Sequence, residues 1–137
     1  VDIAAVCSAG SISALTAADI IQAIDIPAES YIIHAGVEVI TALNGTSPTL
    51  DVDFAAGDDF VDGFDATGTG YAAAGSNGHV DYTAVATFAN RVTTADTIDI
   101  KVNAGANDVS TGKIRVYVIL ADISGLDETD SLQSVTF

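Results

Sequence analysis

Three groups of residues in this 137-residue chain have side chains that could do chemistry: an acidic loop, two histidines and one cysteine. The acidic loop, residues 58–65, carries four aspartates in the manner of a calcium-binding loop. An EF-hand, however, needs acidic ligands at alternate positions and a bidentate glutamate at the end of its loop. Phe60 stands where the second ligand belongs, and no glutamate follows within the loop. We therefore predict an exposed acidic loop, with a calcium site of another kind as the alternative.

The histidines and the cysteine do not form a catalytic pattern. His34 falls within a predicted strand and His79 within a glycine-rich loop, and two further zinc ligands cannot be picked out for either. No histidine is placed to activate a serine as in a Ser-His-Asp triad. Cys7 is the only cysteine, so no internal disulfide forms, and no neighbouring base would activate its thiol. The sequence predicts no catalytic residue, no cofactor and no metal site.

The charge of the chain argues against two classes of partner. Nineteen acidic residues oppose four Lys and Arg, which gives a formal net charge of −15. Nucleic-acid binding depends on basic side chains that displace counterions, and anionic membranes attract basic segments, so we expect neither partner. No apolar run approaches the roughly 18 residues of a transmembrane helix, and no basic segment marks a signal peptide. Val1 in first position is interpreted as a mature or trimmed start.

The elements that must position these side chains are predicted to be strands. From residue 19 onward, β-branched Val and Ile alternate with polar residues, and Gly, Pro and Asn interrupt the pattern roughly every 8–12 residues. We predict an all-β fold, an antiparallel β-sandwich of about eight strands that is jelly-roll-like, with an immunoglobulin-like sandwich as the alternative. The predicted strands are residues 20–26, 31–43, 50–54, 60–65, 70–74, 80–89, 97–102 and 113–123.

The alternation also predicts which side chains face the core. The second and third strands are predicted to form a hairpin around residues 44–45, an Asn-Gly turn. In the second strand every other residue from Ile33 faces the core, and in the third strand Asp51 and Asp53 point outward. Three aromatic residues are expected to anchor the glycine-rich middle of the chain to the core: Phe60, Phe64 and Tyr71.

The last predicted strand, residues 113–123, is apolar on both sides. Its alternate residues from Ile114 face the core, and the opposite side carries Arg115, Tyr117 and Ile119. That opposite side is too apolar for a surface that meets only water. The strand is therefore predicted either to be central in its sheet or to face another chain.

The chain is predicted to divide into an N-terminal arm, residues 1–18, and a β-sandwich domain, residues 19–137. The arm is rich in Ala and Ser and has little apolar surface to offset the cost of ordering it. It is expected to fray, to form a short helix, or to dock on a neighbouring subunit. The predicted interface consists of apolar side chains of the arm, the last strand and the tail: Ile3, Val6, Ile12, Leu15, Tyr117, Ile119, Val135 and Phe137.

Six segments of the sequence carry a resemblance to known proteins. They are residues 18–29, 31–40 (YIIHAGVEVI), 50–54 (LDVDF), 60–63 (FVDG), 96–100 (DTIDI) and 111–118 (TGKIRVYV). Together they resemble small virion structural proteins of tailed bacteriophages, and in particular the capsid decoration (cement) proteins of phages that infect marine bacteria and cyanobacteria. The resemblance covers residues 18–124. It implies a jelly-roll-like homotrimer on the capsid exterior, bound to the major capsid protein, and it transfers no functional residue.

Three functions are compatible with these features. The leading hypothesis is a virion protein that decorates the outer capsid surface and stabilises contacts between capsomers. In that case removal of residues 1–18 is expected to weaken capsid binding and to leave the remaining domain folded. The alternative is a phage tail, fibre or receptor-binding module that recognises host glycan through its loops. A secreted carbohydrate-binding or surface-layer module is the third, and an enzyme is not expected.

Overall fold

The computed structural model describes residues 1–54, 60–73, 91–103 and 109–125. Within these ranges the chain forms one helix, α1 (Ile3–Gly10), and eight strands. The strands are β1 (Ile20–Ile26), β2 (Ser30–Thr41), β3 (Thr49–Phe54), β4 (Val61–Asp65), β5 (Gly70–Ala73), β6 (Arg91–Val92), β7 (Asp96–Asn103) and β8 (Lys113–Asp122). His79, the predicted strand at 80–89 and the tail residues Val135 and Phe137 lie outside the described residues.

The strands form two sheets that enclose one core, which confirms the predicted all-β sandwich. Sheet I has the strand order β1-β7-β3-β4. In sheet II, β2 pairs with β8 along one side and with β5 and β6 on the other. Every strand pair is antiparallel. The chain crosses repeatedly between the sheets, as in jelly rolls, because most successive strands lie in different sheets; only β3 and β4, and β5 and β6, share one.

The predicted hairpin between the second and third strands is wrong, because β2 lies in sheet II and β3 in sheet I. The Asn-Gly pair lies in a connection of seven residues, longer than the two-residue loop that closes a tight hairpin. Within that connection Leu43 is buried in the core, and its backbone N–H donates to the carbonyl oxygen of Ala66 at 3.0 Å. Burying Leu43 carries the chain across the end of the sandwich to the opposite sheet.

The core side of β2 differs from strict alternation at its beginning. The pairing of β2 with β8 shifts register between Ile32 and His34, so one residue of β2, Ile33, is extra. A bulge of this kind changes the phase of alternation along a strand. Ile32 is buried and Ile33 is exposed, contrary to the predicted inward position of Ile33. From Ala35 onward the predicted phase is right, since Ala35, Val37 and Val39 are buried.

The N-terminal segment packs on the chain's own sandwich. Asp2 caps α1, and Ile3, Cys7 and Leu15 are buried in the same core cluster as the strands. The backbone of Leu15 exchanges two hydrogen bonds with that of Val109, at 2.8 and 3.0 Å. The N-terminal arm therefore shares one hydrophobic core with the sheets. The domain boundary between residues 18 and 19 stays a prediction.

Gly36, in the middle of β2, has no room for a side chain. A Cβ atom there would lie 2.7 Å from the Ala72 carbonyl oxygen, 2.7 Å from the Tyr117 hydroxyl and 2.8 Å from the Ala73 Cβ. Gly36→Ala should therefore lower the free energy of unfolding by about 1–3 kcal/mol, as overpacking usually does. Denaturant titration checks this against Gly68→Ala, where a Cβ meets nothing within 4 Å. Equal stabilities of the two variants would contradict the close approach.

Candidate interaction surface

The side of sheet II that faces away from the core carries large apolar side chains. We call it the apolar face and define it by Tyr31, Ile33, Ile40, Tyr71, Tyr117 and Ile119. Relative exposure reaches 71% for Tyr71, 56% for Ile33 and 50% for Ile119. Of the eight large apolar side chains that are exposed in the described residues, five lie on this face. A contiguous apolar surface on a folded domain indicates a contact site more often than isolated exposed residues do.

Two irregularities of β2 place isoleucines on the apolar face. The register of β2 against β8 shifts around Ile33 and again around Ile40, and both side chains are exposed. Between these bulges, His34 pairs directly with Ile119 of β8. Ile33 is the residue next to His34, so Ile33 and Ile119 lie together near one end of the face.

Tyr117 occupies the centre of the apolar face. Its hydroxyl lies over Gly36, and its ring tilts 41° against that of His34 with 5.9 Å between the ring centroids. The Tyr117 hydroxyl and the His34 Nε2 are 3.4 Å apart. Burial, with a smaller contribution from Tyr71, raises the pKa of Tyr117 above its ordinary value. Tyr117 therefore keeps its proton at neutral pH and contributes a hydrogen bond and packing rather than a phenolate nucleophile.

Two ion pairs lie towards the end of the apolar face that contains Ile40. The Arg115 Nη1 donates to the Glu38 Oε2 at 2.6 Å across the β2–β8 pair. At the start of β8, the Lys113 ammonium lies 3.2 Å from the Asp2 carboxylate. All four side chains are substantially exposed, so these pairs contribute little to folding. Glu38 lies between Tyr71 and Arg115 in the sheet and between Gly36 and Ile40 along β2, so this ion pair separates Ile40 from the larger apolar area around Tyr117.

The strands of sheet I are far more acidic than those of sheet II. Among the described strands, those of sheet I carry seven acidic residues and one basic residue, Lys101. Those of sheet II carry two acidic residues, Glu38 and Asp122, and three basic ones. The sandwich therefore has one acidic side and one apolar side with little net charge.

Two of the sheet I aspartates are buried, which corrects the prediction that they are exposed. Asp51 and Asp53 retain 2% and 6% of their exposure, although they alternate with core residues as predicted. The Asp51 carboxylate accepts hydrogen bonds from the Gly63 backbone N–H at 2.9 Å and from the Asn103 side-chain amide. Gly63 donates from a positive-φ position, +67°, where the pairing of β3 with β4 shifts register. A glycine bulge thus supplies the donor that a buried carboxylate requires.

Asp51→Ala should destabilise the sandwich by about 2–4 kcal/mol. The substitution removes the buried carboxylate that accepts from the Gly63 N–H and the Asn103 amide, and hydrogen bonds to a charged group contribute about 1.5–3 kcal/mol each. The control is Asp62→Ala, two residues beyond the buried Phe60, where the side chain is exposed; its expected effect is within about 0.5 kcal/mol. Thermal or denaturant unfolding measures both. Similar small losses for the two variants would show that the Asp51 hydrogen bonds do not stabilise the fold.

The residues first considered for chemistry are dispersed. In the acidic loop, Phe60 is buried as predicted, and Asp65 accepts from Thr67, whose hydrogen bonds lower the pKa of that carboxyl. Within the described ranges, no three His, Cys, Asp or Glu side chains are grouped to hold a metal ion. An open cleft of about 450 Å³ lies where β1 meets β7, with Asp25 and Asp96 in its lining. Its lining contains no histidine, cysteine or basic side chain.

The structure brings together part of the predicted interface. Tyr117 and Ile119 lie on the apolar face, as the composition of the last strand suggested. Ile3 and Leu15 are buried in the chain's own core, where a second chain does not reach them, whereas Val6 is partly buried and Ile12 is exposed.

Sequence reasoning missed four contributors to the apolar face: Tyr31, Ile33, Ile40 and Tyr71. Of these, Ile33 and Tyr71 had been predicted to face the core. No residue pattern marks the bulge at Ile33, and Tyr71 stands in a glycine-rich segment without regular alternation.

Comparison with known proteins adds no relative. No protein-family model matches the chain. Neither the curated proteins nor the solved structures contain a match. Among the described residues, no helix has the length and apolar character needed to cross a bilayer.

Proposed function

We propose that the protein is a non-enzymatic structural component of a virus particle. In this proposal it decorates the outer surface of the capsid, binds the major capsid protein and bridges neighbouring capsomers. The observation that carries the proposal is the apolar face: large side chains such as Tyr71, Ile33 and Ile119 stand exposed on one side of a rigid sheet. Two of the segments that resemble phage decoration proteins, residues 31–40 and 111–118, lie largely on β2 and β8, which carry most of that face.

The apolar face is suited to a large protein partner. The charged residues that β2 and β8 place on this face, Glu38 and Arg115, already pair with each other. A partner can therefore cover these two strands without burying either charge unpaired, which would be costly. A flat sheet surface of isoleucine and tyrosine favours another protein surface over a small polar ligand, which needs a concave pocket.

The distribution of charge supports an external position. The acidic strands of sheet I lie opposite the apolar face, so a sandwich docked through that face directs its acid away from the partner. A net charge of −15 would be repelled by packaged nucleic acid and is well tolerated in water. The proposed location is accordingly the outside of the virion, with neither nucleic acid nor membrane as a partner.

The proposal is tested by adding the purified chain to capsids that lack it. Saturable binding at hundreds of copies per particle, with increased resistance of the capsid to heat, is the expected result, since a ligand of the assembled shell stabilises that shell. Binding limited to a few tens of copies at the tail would favour the tail or receptor-binding alternative. No binding to any particle component would contradict a structural role in the virion.

A further inference from the structure

Within the described residues, the edge of β8 that points away from β2 is paired only at its beginning. Ile114 exchanges backbone hydrogen bonds with Val1 at 2.7 and 3.0 Å, and the Ile3 N–H donates to the Gly112 carbonyl oxygen at 3.1 Å. In an antiparallel strand, alternate residues direct their N–H and C=O groups to the same edge. Val116, Val118 and Leu120 therefore direct theirs to the edge shared with Ile114. Among the described residues, no strand pairs with them there.

The burial of side chains follows this pairing. Ile114, beside the N-terminal segment, is almost completely buried at 1% exposure. Val116, Val118 and Leu120 point to the same core but are only partly buried. Ala23 and Ile24 of β1, the edge strand of sheet I that lies against β8, are also only partly buried. The sandwich thus has an apolar seam along one side, formed by these five side chains of β1 and β8.

The open part of β8 has none of the features that protect an edge strand. Natural edge strands are blunted by lysine, proline, bulges or inward-pointing charges. Residues 116–121 read VYVILA and contain no charge, proline or glycine. The register shifts of the β2–β8 pair insert extra residues into β2, so β8 itself runs without a bulge. Such an edge is a template for another strand.

We infer that a second copy of this chain covers the seam by antiparallel pairing of its β8 with the β8 of the first copy. A two-fold axis at Val118 pairs Val116 with Leu120 of the second copy on the core side. On the outer side it pairs Tyr117 with Ile119 of the second copy. Aromatic and β-branched side chains in directly opposed positions stabilise antiparallel pairs. The same strand supplies both halves of the contact, as a two-fold interface requires.

The charges at the two ends of β8 fit this antiparallel arrangement. β8 begins with basic residues, Lys113 and Arg115, and ends with Asp122. With the axis at Val118, Arg115 of each strand lies opposite Ala121 and next to Asp122 of the other, which favours antiparallel over parallel pairing of the two copies. Six of the seven acidic residues in the strands of sheet I lie on β3, β4 and β7 rather than on β1 at the seam, so two chains of charge −15 can approach.

The pairing has a consequence for the apolar face. The two copies of sheet II become one continuous sheet, and their apolar faces join into a surface of twice the area. This inference goes beyond the proposed function and does not depend on the capsid assignment. It differs from the homotrimer that the resemblance implies, because two-fold edge pairing closes with two chains.

The mass of the purified chain in solution tests the inference. We expect twice the 13.9 kDa chain mass by light scattering across a dilution series. Val118→Pro removes an N–H that faces the open edge and that β2 does not use, so it should give a folded protein of single-chain mass. Val118→Thr retains the N–H and the branched shape, and it should keep the double mass.

A cross-linking experiment keeps the test decisive if Val118→Pro does not fold. In a Cys7→Ala background, Val118→Cys should form a disulfide-linked pair on oxidation, because the two-fold axis places the two thiols together. Thr67→Cys, exposed outside both sheets, should not cross-link comparably. A monomer or a trimer of the unmodified chain, or no preferential cross-link at Val118, overturns the pairing. Dimers that fail to bind capsids would overturn the proposed function alone.

Discussion

Replacing both Ile33 and Ile119 by aspartate should abolish binding to the capsid without unfolding the protein. Both side chains are about half exposed on the apolar face, so their loss removes little of the core. In the bound state each substitution removes about 1.5–3 kcal/mol of apolar burial and brings an unpaired carboxylate into the contact. At 1.4 kcal/mol per factor of ten, the double variant should bind at least about 100-fold more weakly. A titration of capsids with labelled protein measures the change.

Sheet I offers a matched control for this double variant. Ile20 is 53% exposed and carries the same side chain, but it lies on β1 in the opposite sheet. Ile20→Asp should bind the capsid with an affinity close to that of the unmodified chain. Circular dichroism and unfolding curves should be the same for all variants. Equal loss of binding for Ile20→Asp would show that added negative charge, rather than the apolar face, determines the affinity.

Deleting residues 1–18 should destabilise the sandwich severely, contrary to the expectation that the remaining domain stays folded. The deletion removes the buried side chains of Ile3, Cys7 and Leu15, and it exposes the apolar surface that they cover. It also removes the backbone pairing of Leu15 with Val109. Burial of Ile3 and Leu15 contributes about 1.5–3 kcal/mol each. Together they approach the lower end of the free energy of unfolding of a typical domain, ~5–15 kcal/mol. We expect a loss of more than about 4 kcal/mol by denaturant unfolding.

Single substitutions show whether the arm stabilises the fold through its buried side chains. Leu15→Ala should cost about 2–5 kcal/mol, because it leaves a cavity in the core. Ile12→Ala changes an exposed side chain of the same segment and should alter the free energy of unfolding by no more than about 0.5 kcal/mol. A truncated chain that unfolds at the same denaturant concentration as the full chain would show that the arm is dispensable for the fold.

Sequence alternation was sufficient to find most strands, because the period of two follows directly from the geometry of a pleated strand. The segment that became β7 (Asp96–Asn103) alternates buried and partly exposed residues as expected. Pairing was harder to predict, because it depends on which strands meet in space. The Asn-Gly turn suggested a hairpin, but burial of Leu43 carried the chain to the other sheet.

The sequence predicted the candidate surface only at the last strand, where the residues on both sides of the strand are apolar. Tyr117 and Ile119 stood out in this way, and they lie on the apolar face. Ile33 could not be assigned, because a single extra residue in β2 reverses the direction of its side chain. The burial of Asp51 was also hidden, since it depends on a bulge at Gly63 in a different strand.

Cryo-electron microscopy of native particles tests the central claim most directly, because it shows which side of the sandwich meets the shell. We predict that the outer side of sheet II contacts the major capsid protein, with Ile33 and Ile119 packed in the contact and the acidic strands of sheet I turned to solvent. A particle in which the apolar face is open to water, or in which the chain is absent from the capsid, would contradict the account.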